Sequence, residues 1–89
     1  MILVELYSKD DCHLCDVAKE LLLNIQRSHP FELRQIKIQA GDEHFERYHE
    51  RVPVIFINKE FAFQYRIPEK EFIAKIRQMA QEEPSKKLA

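Results

Sequence analysis

The residues of this chain best suited to chemistry are Cys12 and Cys15, separated by His13 and Leu14. They are the only cysteines among 89 residues. A C-x-x-C pair can cycle between dithiol and disulfide, or it can supply two of the thiolates that a metal takes. The loop it closes is too short to staple a fold. Small secreted scaffolds held by disulfides carry four or more cysteines spread along the chain. The pair therefore serves redox chemistry or metal binding. For zinc, which takes four ligands, the remaining candidates are His29, His44 and His49. On a helix, His44 and His49 would point about 140° apart, which is poor geometry for sharing one ion.

The elements that must position the pair follow from hydrophobic spacing. Residues 2–7 are rich in Ile, Leu, Val and Tyr and predict a buried strand, with the polar Ser8-Lys9-Asp10-Asp11 as the turn leaving it. Leu14, Ala18, Leu21, Leu22 and Ile25 then follow i, i+4, i+7, i+8 and i+11, which predicts an amphipathic helix with these residues as its inward stripe. Asp10 and Asp11 stand where acidic residues cap a helix start, and Ser28-His29-Pro30 ends the helix. Cys12 thus falls at the junction of strand and helix. There, amides without helical partners and the positive end of the helix dipole favour thiolate, the attacking species in disulfide exchange. Cys15, one turn deeper, is placed to resolve the mixed disulfide. Lys9 and a protonated His13 would support the Cys12 thiolate, while Asp10 and Asp11 would oppose it.

Further along, residues 31–38 predict a second strand, with a phase slip between Leu33 and Ile36 that suggests a bulge. Ala40-Gly41-Asp42 is a turn, and residues 42–50 suit a short surface helix with Phe45 and Tyr48 on its inner edge. Residues 52–57 and 60–65 read as an antiparallel hairpin about Asn58-Lys59, with Phe61, Phe63 and Tyr65 on one face. Pro68 suits the first position of a last helix carrying Phe72, Ile73, Ile76, Met79 and Ala80. The order is β-α-β-α-β-β-α. It predicts an α/β domain with a four-stranded mixed sheet, helices on both faces and parallel neighbours wherever helices join the strands. Residues 1–81 form this one domain, and residues 82–89, with Pro84 inside them, read as a loose tail.

Composition removes whole classes of function. Apolar residues at 45% and charged residues at 33% describe a globular protein. No apolar run approaches the roughly 20 residues of a membrane span, and the opening residues lack a basic n-region, so a cytoplasmic protein is expected. Fourteen Lys and Arg against fifteen Asp and Glu leave a net charge of −1, which argues against nucleic acid as a partner. Gly41 is the only glycine, which excludes a Gly-rich phosphate loop.

Tyr7-Ser8-Lys9-x-x-Cys12-x-x-Cys15 after a strand, with Arg51-Val52-Pro53-Val54 before a later one, resembles the glutaredoxins. The C-x-L-C motif and Gln64-Tyr65-Arg66-Ile67 are closest to a small glutaredoxin-like branch, and the resemblance covers roughly residues 2–80. It implies a thioredoxin-like fold and thiol–disulfide oxidoreductase activity, with Cys12 as nucleophile and Cys15 as resolving thiol. It also implies a cis Val52–Pro53 bond beside the cysteines, where the Val52 backbone pairs with substrate. Lys9, His13 and Arg51 join Val52 and Pro53 as expected substrate contacts. The implied partner is a disulfide-containing protein, or glutathione as substrate or reductant, with no tightly bound cofactor and nothing that demands more than a monomer. Where the family carries Gly-Gly before the last helix, this chain has Phe63-Gln64-Tyr65-Arg66-Ile67-Pro68-Glu69, bulky and without glycine; Arg51 stands in place of its Thr before Val-Pro, and His13-Leu14 in place of its Pro-Tyr within the motif. A degenerate redoxin that only docks to a partner, and an iron–sulfur or metal carrier using Cys12 with outside ligands, are the alternatives.

Overall fold

The computed structural model describes residues 1–81. The expected tail, residues 82–89, lies outside the described residues. Seven elements follow in the expected order: β1 (Leu3–Ser8), α1 (His13–Ser28), β2 (Glu32–Lys37), α2 (Glu43–Tyr48), β3 (Val54–Ile57), β4 (Glu60–Gln64) and α3 (Glu69–Gln81). The sheet order is β2-β1-β3-β4, so the first strand, the one leading into the cysteines, lies in the interior of the sheet. Its Val4 and Leu6 are fully buried.

β1 and β2 are parallel, as a strand–helix–strand unit requires, while β3 runs antiparallel to β1. The expectation of parallel neighbours fails at this third strand, and helix length explains why. Six residues of α2 rise only about 9 Å, whereas a six-residue strand such as β2 spans about 20 Å. Residues 38–53 do not carry the chain back to the far edge of the sheet before β3 begins. It re-enters at the edge it left, with Val54 opposite Tyr7 at the end of β1. The region that holds the cysteines and the region before Pro53 are thereby brought to one edge.

On one face of the sheet, Val4, Leu6, Ile55 and Ile57 meet Ala18, Leu22 and Ile25 of α1 and Phe72 and Ile76 of α3 in a single core. On the other face, α2 lays His44 and Tyr48 over Tyr7, with ring centroids 5.1 and 5.6 Å away, and Tyr48 over Phe56 at 6.1 Å. Glu5 is also buried on that face, where Lys59 Nζ donates to it at 3.2 Å.

Several local expectations are corrected. The register of β2 on β1 is regular, because Leu33 and Ile36 occupy opposite faces of an edge strand: Leu33 joins the core and Ile36 lies opposite Tyr7. The bulge lies instead in the hairpin, where Ile55 pairs with Phe63 but Phe56 pairs with Phe61, leaving Ala62 as the extra residue. Phe61 and Phe63 therefore sit on opposite faces: Phe63 contacts Phe72, while Phe61 contacts Phe56. Asn58 and Lys59 both have positive φ, 50° and 71°, as the tight hairpin turn needs. Pro68 precedes α3 rather than opening it, and its carbonyl accepts the first helical bond, from Phe72 N. Neither Asp10 nor Asp11 caps α1; Asp10 pairs with Lys37 at 3.1 Å, and Asp11 takes a left-handed backbone at φ 56°. Among the described residues, no helix is long and apolar enough to cross a membrane.

Candidate active site

The cap of α1 is Cys12 itself. Its extended backbone, φ −116° and ψ 100°, turns the chain from loop to helix, and its Sγ accepts the Cys15 amide at 3.1 Å. A sulfur thus takes the place that a Ser or Asp oxygen fills in most helices. Cys12 and Cys15 form a disulfide with Cα atoms 5.2 Å apart. Cys12 is half-buried, whereas Cys15 is 2% exposed, so only one sulfur of the pair is open to a partner. His13 is exposed on the first turn.

Cys15, Ile38 and Val52 form a second buried cluster, with Tyr7, Cys12, Phe45 and Tyr48 packed around it. Val52 is thereby held against the cysteine pair, although Cys15 and Val52 lie 37 positions apart in the chain. The Val52–Pro53 peptide is cis and both residues are buried. The Val52 amide is already engaged: it donates to the Tyr48 carbonyl at 3.0 Å, beside the Arg51 amide at 2.7 Å. Among the described residues the Val52 carbonyl accepts no hydrogen bond.

Lys9 and Arg51 differ in their engagement. The Lys9 Nζ donates to the His49 carbonyl at 2.8 Å. There it complements the negative end of α2 and ties the turn before Cys12 to the helix that leads into Val52–Pro53. Arg51 extends into solvent, and among the described residues its guanidinium forms no ion pair. The sequence marks Tyr7 only as part of the run before the motif, yet it packs against the cysteine cluster and the aromatic face together. Burial holds its phenol above the ordinary value of 10.0, with Glu5, Tyr48 and Asp42 pushing the same way.

The expectation that failed most informatively is Leu14. Its spacing predicts the start of the inward stripe, but it is 49% exposed, and the buried row of α1 is Cys15, Ala18, Leu22 and Ile25. With Val17 and Leu21, Leu14 walls a groove of about 310 Å³ whose other side is Tyr65, Arg66 and Ile67. The i, i+3, i+7 spacing of Leu14, Val17 and Leu21 was the signal for this second row. Among the described residues, no group of three or more His, Cys, Asp or Glu side chains could hold a metal, so the donors present do not fit one bound by this chain alone.

The sequence matches the profile of the glutaredoxin-like domain (DUF836) over residues 3–77. No curated protein sequence matches it. Among solved structures, protein Ne2328 from Nitrosomonas europaea is similar, with 26% identity and a TM-score of 0.72 over 83% of this chain and 89% of that one. A structural-genomics target protein from X. campestris is similar at 25% identity and a TM-score of 0.69, covering 84% of this chain and 96% of the other. Thioredoxin 1 from Thermosipho africanus, at 14% identity, shares the fold with a TM-score of 0.65 over 89% and 94% of the two chains. A strand-to-helix disulfide, a four-stranded mixed sheet and a profile match across most of the chain agree: this protein belongs to the glutaredoxin-like (DUF836) family, has the thioredoxin fold, and carries a Cys12–Cys15 disulfide that supports a redox role.

Proposed function

We propose that this protein is a thiol–disulfide oxidoreductase that cycles between a Cys12/Cys15 dithiol and the disulfide. The observation that carries the reading is the cap: the accessible sulfur sits where the Cys15 amide and the helix N-terminus stabilise negative charge. In the reduced form, the Cys12 thiolate attacks one sulfur of a substrate disulfide. The other substrate sulfur leaves as a thiolate and takes a proton from water. Cys15 then gives up its proton and attacks Cys12 Sγ in the mixed disulfide, releasing the second substrate thiol. Two electrons and two protons have passed to the substrate, and the Cys12–Cys15 disulfide remains. A low-molecular-weight thiol such as glutathione, or a dithiol protein, recharges the pair by the reverse exchange.

The remaining residues orient the substrate. In this reading the Val52 carbonyl accepts a substrate amide beside Cys12, and buried Pro53 fixes the ledge. Arg51 and His13, both exposed, are the groups nearest in sequence to meet a substrate carboxylate, while Lys9 acts on the ledge through His49. The test is intact mass after equilibration across a glutathione redox series. Loss of two hydrogens at a single midpoint supports the reading, and a stable adduct on Cys12 identifies glutathione as a substrate. Thiols that never respond would end it.

A further inference from the structure

Helix α2 has six residues and buries none of them fully, yet it runs directly into the Val52–Pro53 segment. A helix this short does not hold its shape by its own hydrogen bonds, so tertiary contacts must fix it. Its last turn is fixed from two sides by one residue, His49, which caps it. The His49 amide donates to the Phe45 carbonyl at 2.9 Å, and ring Nδ1 lies 2.7 Å from the same oxygen. A carbonyl only accepts, so Nδ1 carries the proton and donates. The imidazole also lies flat on the Phe45 ring, with centroids 4.6 Å apart and planes within 7°. Phe45 in turn packs against the buried cluster of Cys15, Ile38 and Val52. From the other side, the His49 carbonyl accepts Lys9 Nζ at 2.8 Å, across 40 positions of chain. The carbonyl one residue earlier, that of Tyr48, holds the amides of Arg51 and Val52 at 2.7 and 3.0 Å.

We propose that His49 is a positioning residue of the site: its side chain locks the last turn of α2, and that turn sets where the Val52 backbone stands relative to Cys12. Lys9 closes the same clamp from the turn before the cysteines. This rests on the oxidoreductase reading and assigns His49 a part in it. Two other roles for the imidazole fit the geometry less well. As a metal ligand it lacks companions, since among the described residues no group of three or more His, Cys, Asp or Glu side chains could hold an ion. As half of an ion pair it would depend on Glu50, whose carboxylate is 3.6 Å from Nε2 and 85% exposed, where a pair contributes little. The contact with Phe45 is the one that reaches the cysteines, because Phe45 touches the cluster that contains Cys15 and Val52. Substrates therefore depend on His49 in proportion to their use of the ledge. A peptide disulfide offers backbone amides to the Val52 carbonyl and is sensitive to it. Hydroxyethyl disulfide has no amide and is not.

The experiment uses full-length protein, reduced and freed of reductant, in single turnover against two probes: the homodisulfide of N-acetyl-Ala-Cys-Ala amide, and hydroxyethyl disulfide. Formation of the Cys12–Cys15 disulfide is followed by intact mass after acid quench. His49→Ala is expected to slow the peptide reaction about ten-fold, while hydroxyethyl disulfide stays within about two-fold of wild type. His49→Asn, which carries an N–H at the place of Nδ1, recovers most of the peptide rate. The pH profile of Cys12 alkylation in the reduced protein does not move in His49→Ala. Lys9→Met slows the peptide by a similar factor, and the double variant is within about two-fold of the slower single one, because both act through one turn. Should His49→Ala not fold, His49→Phe, which keeps the stacked ring and removes the N–H, carries the same comparison. If both probes slow together, or if the alkylation profile moves, His49 acts on Cys12 rather than on the ledge and the proposal falls alone. It also falls if neither rate changes, or if the losses of the His49 and Lys9 variants multiply. Wild-type protein that reduces neither probe ends the oxidoreductase reading, and the proposal with it.

Discussion

The two apolar rows of α1 have nearly the same spacing, yet different fates. Ala18, Leu22 and Ile25 lie under the sheet and α3, with Leu22 wholly shielded, and Cys15 is buried with Ile38 and Val52. Leu14, Val17 and Leu21 stand about a quarter-turn away on average and line a groove, with Leu14 and Val17 exposed and Leu21 half-buried against the core. A helix presents apolar stripes, but the sheet width and the placing of α3 decide which stripe is roofed. The rows meet at the C-x-x-C motif, where each holds one member: Cys15 in the buried row and Leu14 in the open one. Burial and reactivity are divided there within one turn of helix.

The sharpest way to break the comparison is at the buried cysteine. Cys15→Ser should abolish turnover and trap the mixed disulfide on Cys12, visible by mass as a persistent adduct that dithiothreitol removes. An adduct that still resolves at the wild-type rate would deny the buried row its chemical role. Next in size, Leu22→Ala should lower stability by about 2–5 kcal/mol in denaturant unfolding, since the neighbours from β1 and α3 cannot close the cavity. The aromatic face gives a smaller, pH-dependent effect. Tyr7 is neutral in the fold beyond the pH at which an unfolded tyrosine ionises, so its stabilising contribution is complete below about pH 10 and is lost as pH rises through its higher folded value. Absorbance at alkaline pH should show a late phenolate phase that Tyr7→Phe removes. Smallest of all, Val17→Asn should leave the unfolding midpoint within about 0.5 kcal/mol of wild type. A loss near that of Leu22→Ala would mean the open row is roofed after all.

Local chemistry was legible in the residues themselves. Two cysteines after an apolar strand named the strand-to-helix turn because that turn depends on neighbours in sequence, whereas the cis Val52–Pro53 segment facing it was implied by the family resemblance. The same holds for the element order, which follows from changes between a period of two and one near 3.6. What escaped depends on partners distant in the chain. Ala62 has no feature marking it as a bulge; the register of β3 against both neighbours creates it. Lys9 looked like a charge for Cys12 until α2 placed the His49 carbonyl within its reach. Leu14 looked like core because periodicity reports an apolar side chain but not a roof. Nothing in the Val52 sequence context announces that its amide is taken by Tyr48, since that bond comes from α2 running directly into the ledge.

The Cys12 cap has a consequence for how this position can be dissected. For the helix alone, Ser, Thr, Asp or Asn would hold the Cys15 amide as well or better. Serine there keeps the architecture and deletes the chemistry, while alanine deletes both, and the gap between the two variants isolates what the helix needs. Position 12 is thus structurally over-supplied with acceptable residues. Only thiol chemistry singles out cysteine among them.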